Sequence, residues 1–184
     1  SSANDLFAIR SLGFRGEALA SIAAVSRVTL QTQTEEDELG TQIRYEGGEL
    51  IEHKRTAGTR GTSIDIRNLF YNVPARLKFV KSARAESAAI GDYIARLILS
   101  VPQIAVHYVN GGKSVYRSTG NGNAKDALLS VYGVSVERQL CPVTFDDGYL
   151  KITGFVGVPD LARANRSGQR SEEHTSELQS PCNL

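Results

Sequence analysis

The stretch Leu12-Gly13-Phe14-Arg15-Gly16-Glu17-Ala18-Leu19 sets two glycines three residues apart directly ahead of an alanine-rich segment. Glycine permits the tight backbone turns that other residues resist. The segment Glu17 to Val25 consists of good helix formers, with Glu17 in a first turn where the positive end of the helix dipole favours it. The first N–H groups of such a helix lack intrahelical partners, so its start attracts anions, phosphate above all. Taken alone, a Gly-x-x-Gly before a helix is more often an ordinary loop-to-helix junction than a phosphate site.

Around this stretch the pattern is mixed. Asp5 to Ile9 predicts a short helix and Arg10 to Arg15 a loop. Val28 to Thr34 alternates with the period of a strand, as does Ser63 to Arg67. Gly40 to Tyr45 and Glu49 to Lys54 predict two strands turned at Gly47-Gly48. Pro74 fits the first turn of a helix running to about Lys81, and Glu86 to Leu99 predicts a longer one, closed by Pro102. Beyond it come a strand through Ile104, Val106 and Tyr108, a Gly111-Gly112 turn and a return strand Lys113 to Arg117. A helix Ala124 to Tyr132 follows, then strands Gln139 to Phe145 and Leu150 to Val156, turned at Asp146-Asp147-Gly148. The change of pattern suggests a boundary near residue 101 and an α+β chain in two parts.

The composition of the 184 residues, 41% hydrophobic and 22% charged, excludes collagen-like, coiled-coil, mucin-like and wholly disordered chains. No apolar run approaches the ~20 residues that span a bilayer. The chain starts without Met or a basic leader and contains no Met at all, which reads as an internal piece of a longer protein. Cys141 and Cys182 match neither a disulfide framework nor a zinc site, so a reducing compartment is the default. The formal net charge of +1 hides two opposed blocks. From Glu35 to Glu52 the acids Glu35, Glu36, Asp37, Glu38, Glu46, Glu49 and Glu52 face Arg44 alone. From Lys54 to Arg84 the bases Lys54, Arg55, Arg60, Arg67, Arg76, Lys78, Lys81 and Arg84 face Asp65 alone. Such blocks are usually solvated faces, and the sharper reading is a basic surface for phosphate groups.

Two further segments bear on phosphate chemistry. Gly112-Lys113-Ser114 ends like a P-loop, but His107 stands where that motif needs its first glycine, and the segment lies between two strands; a hairpin turn fits better. The run from Gly61-Thr62 through Asn68-Leu69-Phe70-Tyr71-Asn72-Val73-Pro74-Ala75-Arg76 to Phe79 reads structurally as strand, aromatic turn and amphipathic helix. Functionally it offers the Thr62 hydroxyl at a strand end and the series Arg76, Lys78, Lys81, Arg84, in which Lys78 and Lys81 can share a helical face.

Ser11-Leu12-Gly13-Phe14-Arg15-Gly16-Glu17-Ala18-Leu19-Ala20-Ser21-Ile22, together with Gly61-Thr62 and Asn68 to Arg76, closely resembles the MutL family of mismatch-repair ATPases in the GHKL superfamily. The resemblance continues more weakly to Asn165-Arg166-Ser167-Gly168-Gln169. It implies that residues 1–100 form the second half of the α/β sandwich that binds ATP, and that 101–169 begin a transducer domain, a ribosomal-protein-like β-α-β arrangement. It implies ATP contacts from the backbone of Gly13, Phe14, Arg15, Gly16, Glu17, Ala18 and Leu19, with Thr62 near the adenine, and DNA contacts from Arg76, Lys78, Lys81 and Arg84. The implied cofactors are ATP and Mg2+. Implied partners are DNA, a MutS-type mismatch-recognition protein, a downstream endonuclease or helicase, and a second MutL chain in a homo- or heterodimer. The expected location is the cytoplasm or nucleoid, or the nucleus for a eukaryotic source, without a membrane.

The departures are equally definite. The family's catalytic Glu, its magnesium-holding Asn and its Asp-x-Gly adenine motif fall upstream of Ser1, and its transducer Lys downstream of the end. No residue here takes a catalytic or metal-ligating role by motif, and the chain alone is expected not to hydrolyse ATP. From Arg170 the family's pattern stops, and Arg170-Ser-Glu-Glu-His-Thr-Ser-Glu-Leu-Gln-Ser180 resembles a translated sequencing-adapter oligonucleotide, so residues 170–184 are expected to be read-through. Two alternative readings stand beside the ATPase: a nucleotide-independent DNA- or partner-binding module, and a non-functional partial reading frame.

Overall fold

The computed structural model describes residues 16–161; the expected Asp5–Ile9 helix, Gly13, Phe14, Arg15 and the 170–184 tail lie outside them. The described chain is α+β and divides into two compact units, the first ending at Lys81 and the second starting at Ser82.

The first unit is built on an antiparallel sheet of β1 (Arg27–Gln33), β2 (Gly40–Glu46), β3 (Glu49–Thr56) and β4 (Gly61–Arg67), in the order β3-β2-β1-β4. The alternation read from sequence sets the faces. Val28 pairs with Tyr45 and Ile66, and Leu30 with Ile43 and Ile64, so these side chains share one side of the pleat. Thr29, Arg44 and Asp65 share the other. Val28 is buried, whereas Ile64 and Ile66 at the β4 edge stay 43% and 44% exposed, so the described chain covers the centre of the apolar face and leaves its margin open. Gly47 and Gly48 turn β2 into β3 with φ of 59° and 92°, left-handed values that two consecutive L side chains would resist.

The helix expected from Gly16 to Val25 is shorter: α1 spans Ala18–Ala23, and Glu17 stands at its N-cap, not in its first turn, with no capping side-chain bond. After β4 the chain passes through Asn68 and Phe70, both left-handed at φ 53° and 65°, into α2 (Pro74–Leu77). That helix was expected to reach Lys81. It stops because the Phe79 and Val80 amides bond three residues back, to Arg76 and Leu77, which tightens and ends the last turn. Ser82, extended at φ −60° and ψ 149°, then caps the next helix.

The second unit begins with α3 (Ala83–Ser100), whose cap Ser82 accepts from the Ala85 N–H at 3.3 Å. Its hairpin, β5 (His107–Asn110) with β6 (Lys113–Arg117), turns at Gly111-Gly112, and so the Gly-Lys-Ser segment is a hairpin turn, as read. The strand expected from Ile104 starts only at His107. Upstream of it one backbone bond persists, from Ser118 N–H to the Val106 carbonyl at 2.9 Å, and the Ser118 hydroxyl takes up the rest, accepting from the Val106 amide at 3.0 Å and donating to the Ile104 carbonyl. Helix α4 (Ala124–Tyr132) is capped by Asn123, whose side chain accepts from the Lys125 and Asp126 amides. An unexpected 3-10 segment, Val134–Gln139, leads into the hairpin of β7 (Leu140–Asp146) and β8 (Lys151–Gly157). Ile98 and Ala127 are buried in this unit. No helix among the described residues is long and apolar enough to cross a membrane.

Candidate functional site

Of the expected phosphate loop, Gly16, Glu17, Ala18 and Leu19 are described, and all are exposed. Gly16 takes φ +66°, and a β-carbon built on it would meet nothing within 4 Å. Its backbone is therefore open to close approach by a ligand, directly ahead of α1.

The C-terminal end of α1 is held in a way the local sequence does not announce. A helix leaves its last carbonyls without intrahelical donors, and here five successive oxygens find partners. Ile22 O accepts from the Ser26 hydroxyl at 2.6 Å, Ala23 O from Gly48 N–H at 2.9 Å, and Ala24 O from the Asn72 carboxamide at 2.9 Å. Val25 O accepts from Phe70 N–H at 2.6 Å and Ser26 O from Gly47 N–H at 3.1 Å. The β2–β3 turn and the Phe70–Asn72 turn thus clamp α1 to the head of β1. Arg27 adds to the same corner: its guanidinium lies 5.1 Å from the Tyr71 ring centroid and 3.5 Å from the Glu46 carboxylate.

Thr62 lies near the other end of the sheet. It pairs with Thr32 across the β1–β4 ladder, and the two hydroxyl oxygens are 2.9 Å apart. One hydroxyl donates and the other keeps a hydrogen for a further partner. Among the described residues no hydrogen bond joins Thr62 to Gly16–Leu19.

The basic series is not one helical face. Arg76 lies in α2 with its guanidinium 6.0 Å from the Phe70 ring centroid, Lys78 caps that helix, and Lys81 follows beyond its end. The expectation that Lys78 and Lys81 share a helical face is therefore corrected, because no helical repeat links them. Arg84 belongs to the first turn of α3, in the second unit. Elsewhere in the basic block, Lys54 on the β3 edge pairs with Glu52 at 3.1 Å, and Arg67 on the opposite β4 edge pairs with Asp65 at 2.7 Å. The hydrogen bonds from Arg67 hold the Asp65 carboxyl below its ordinary range, and the carboxylate in turn raises the guanidinium. These two bases are engaged locally, whereas among the described residues Arg55, Arg60, Arg76 and Lys78 have no carboxylate within ion-pair distance.

Sequence reading missed the role of Asn72 and the left-handed Phe70. An asparagine beside a turn is a recognisable signal for a side-chain-to-backbone bond, but its acceptor, Ala24, is remote in sequence. Phe70 carries no such signal.

Comparison with solved structures finds the same fold in the Aquifex aeolicus MutL ATPase domain complexed with ADP, at a TM-score of 0.64 and 22% identity, over 79% of this chain and 56% of that one. The class is thus a mixed α+β chain with the fold of that domain. Sequence comparison narrows it. The chain is 44% identical to the DNA mismatch repair protein MutL of Streptococcus sanguinis over 163 residues, 89% of this chain and 25% of that protein. It is also 44% identical to that of Desulforudis audaxviator over 168 residues, 91% of this chain and 30% of that protein. The chain belongs to the MutL family, and it spans between a quarter and a third of the length of these curated relatives. No family model matches it.

Proposed function

We propose that the chain supplies the phosphate-contacting loop Gly13–Leu19 and the adenine-side Thr62 of an ATP site, and through Arg76, Lys78, Lys81 and Arg84 a DNA-facing segment, in a dimeric mediator of mismatch repair. The observation that carries this reading is the uncovered, left-handed Gly16 at the head of α1, inside a motif of the MutL family. The Aquifex relative of the same fold was solved with ADP, which supports nucleotide as the ligand. ATP fits the described residues, because phosphate oxygens can approach the open Gly16 backbone without a side chain intervening, and Glu17, Ala18 and Leu19 beside it are exposed. Magnesium does not: among the described residues no group of three or more His, Cys, Asp or Glu side chains could hold a metal ion.

In this role the protein would join a MutS-type mismatch-recognition protein to a downstream endonuclease or helicase, dimerise, and work at the nucleoid, or in the nucleus for a eukaryotic source. Residues 1–100 would complete the ATP domain, and 101–169 would begin the transducer. The test is calorimetric titration of the full reading frame that carries this sequence with a non-hydrolysable ATP analogue, alongside DNA binding across a salt series. Saturable analogue binding that Gly16→Val weakens supports the proposal. Salt-dependent DNA binding with no analogue binding replaces it with the nucleotide-independent module.

A further inference from the structure

Helix α1 has only six residues, about 9 Å of rise, so fixing one end fixes the other. Its N-terminal end carries the Gly16–Leu19 backbone. Its C-terminal end is set by donors from elsewhere in the first unit, and among these Asn72 is distinct. Gly47, Gly48 and Phe70 donate through the main chain and the Ser26 hydroxyl from the helix's own end, whereas Asn72 reaches the Ala24 carbonyl from 48 positions away with its side chain, so one substitution can remove that remote bond without altering the backbone.

We propose that Asn72 is a positioning residue for nucleotide binding: by donating to Ala24 O it fixes the end of α1, and through that short helix it sets the Gly16–Leu19 backbone against the phosphates. This rests on the nucleotide reading above. The carboxamide nitrogen alone does the work. Replacing it by oxygen keeps the shape of the side chain and puts a carboxylate against a carbonyl oxygen, so Asn72→Asp removes the donor while conserving volume.

The experiment compares wild type, Asn72→Asp and Ile43→Val in the full reading frame. Ile43 lies in β2, partly covered and away from the clamp, and losing its methyl group costs about as much stability as losing a neutral hydrogen bond, roughly 0.5–1.5 kcal/mol. Mg-ADP affinity is read by calorimetry and backbone opening by amide exchange. Asn72→Asp is expected to weaken ADP about three- to tenfold and to speed exchange at Gly47, Gly48 and Phe70. Ile43→Val, at a similar loss of melting temperature, is expected to leave ADP affinity within about twofold. ADP binding by Asn72→Asp as tight as wild type overturns this inference alone. Equal weakening by Ile43→Val also overturns it, since the effect would then be general stability. Absence of ADP binding by folded wild type overturns the nucleotide reading and this inference with it.

Discussion

The Tyr71 hydroxyl lies so close over Gly47 that a β-carbon on the glycine would come within 2.9 Å of it, and within 3.3 Å of the Asn72 carboxamide nitrogen. A tight turn and an aromatic side chain from the far side of the sheet thus occupy one small volume at the C-terminal end of α1.

That relationship predicts a double-mutant result. Gly47→Ala should destabilise the first unit by about 1–2 kcal/mol from the left-handed backbone alone, with a further cost from the Tyr71 contact. Tyr71→Phe on that background should recover the steric part, since the next ring atom is 3.8 Å away, and leave the backbone part. Chemical denaturation of the four proteins of the cycle measures it; strict additivity would show that the hydroxyl does not meet the new methyl.

Phosphate contacts have a salt signature. If Lys78 meets a DNA phosphate, Lys78→Ala should lower affinity about equally for all sequences and make the log–log salt slope shallower by about 0.9. Arg67→Ala should change the slope much less, because its guanidinium is engaged by Asp65 at 2.7 Å. Fluorescence anisotropy over a salt series separates the two, and a larger slope change for Arg67→Ala would place the DNA on the β4 edge.

On the motif resemblance the family's catalytic Glu and magnesium-holding Asn have no counterpart in residues 1–169, so this segment purified alone should show no magnesium-dependent ATPase above background. A coupled phosphate-release assay tests this. Turnover that survives purification and disappears with Gly16→Val would assign the missing chemistry to this chain.

The β7–β8 turn carries a pH dependence. The Leu150 and Tyr149 N–H groups, 2.7 and 2.9 Å from Asp147 Oδ1, hold that carboxyl below its ordinary range. Because the folded pKa is the lower one, the stabilisation is full above the unfolded value near ~3.9 and is lost as pH falls through the folded value. Protection of the Tyr149 and Leu150 amides, corrected for the intrinsic pH dependence of exchange, should therefore fall on acidification in wild type, and Asp147→Asn should flatten that response. An unchanged acid response in the variant would assign it to another group.

Much of this fold is legible along the chain because short-range rules decide it. The Gly47-Gly48 and Asp147-Gly148 turns, and the alternation that puts Val28 with Leu30 and Ile64 with Ile66 on one face of their own strands, each depend on residues within a few positions of one another. The GFRGEAL and FYNVPAR phrases at residues 13–19 and 70–76 likewise carry the family. What the sequence could not set were the points where distant donors compete for the same backbone. Helix α1 ends at Ala23, although Ala24 could extend it, because the carbonyls from Ile22 to Ser26 are claimed by Ser26, Gly48, Asn72, Phe70 and Gly47. Helix α2 stops short of Lys81 and dissolves the expected Lys78–Lys81 face, and Phe70 is left-handed where its own preference is not. Local propensity is worth tenths of a kcal/mol per residue, whereas a satisfied carbonyl or a packed ring is worth about 1 kcal/mol. Where donors far apart in sequence converge on one helix end, the tertiary structure decides.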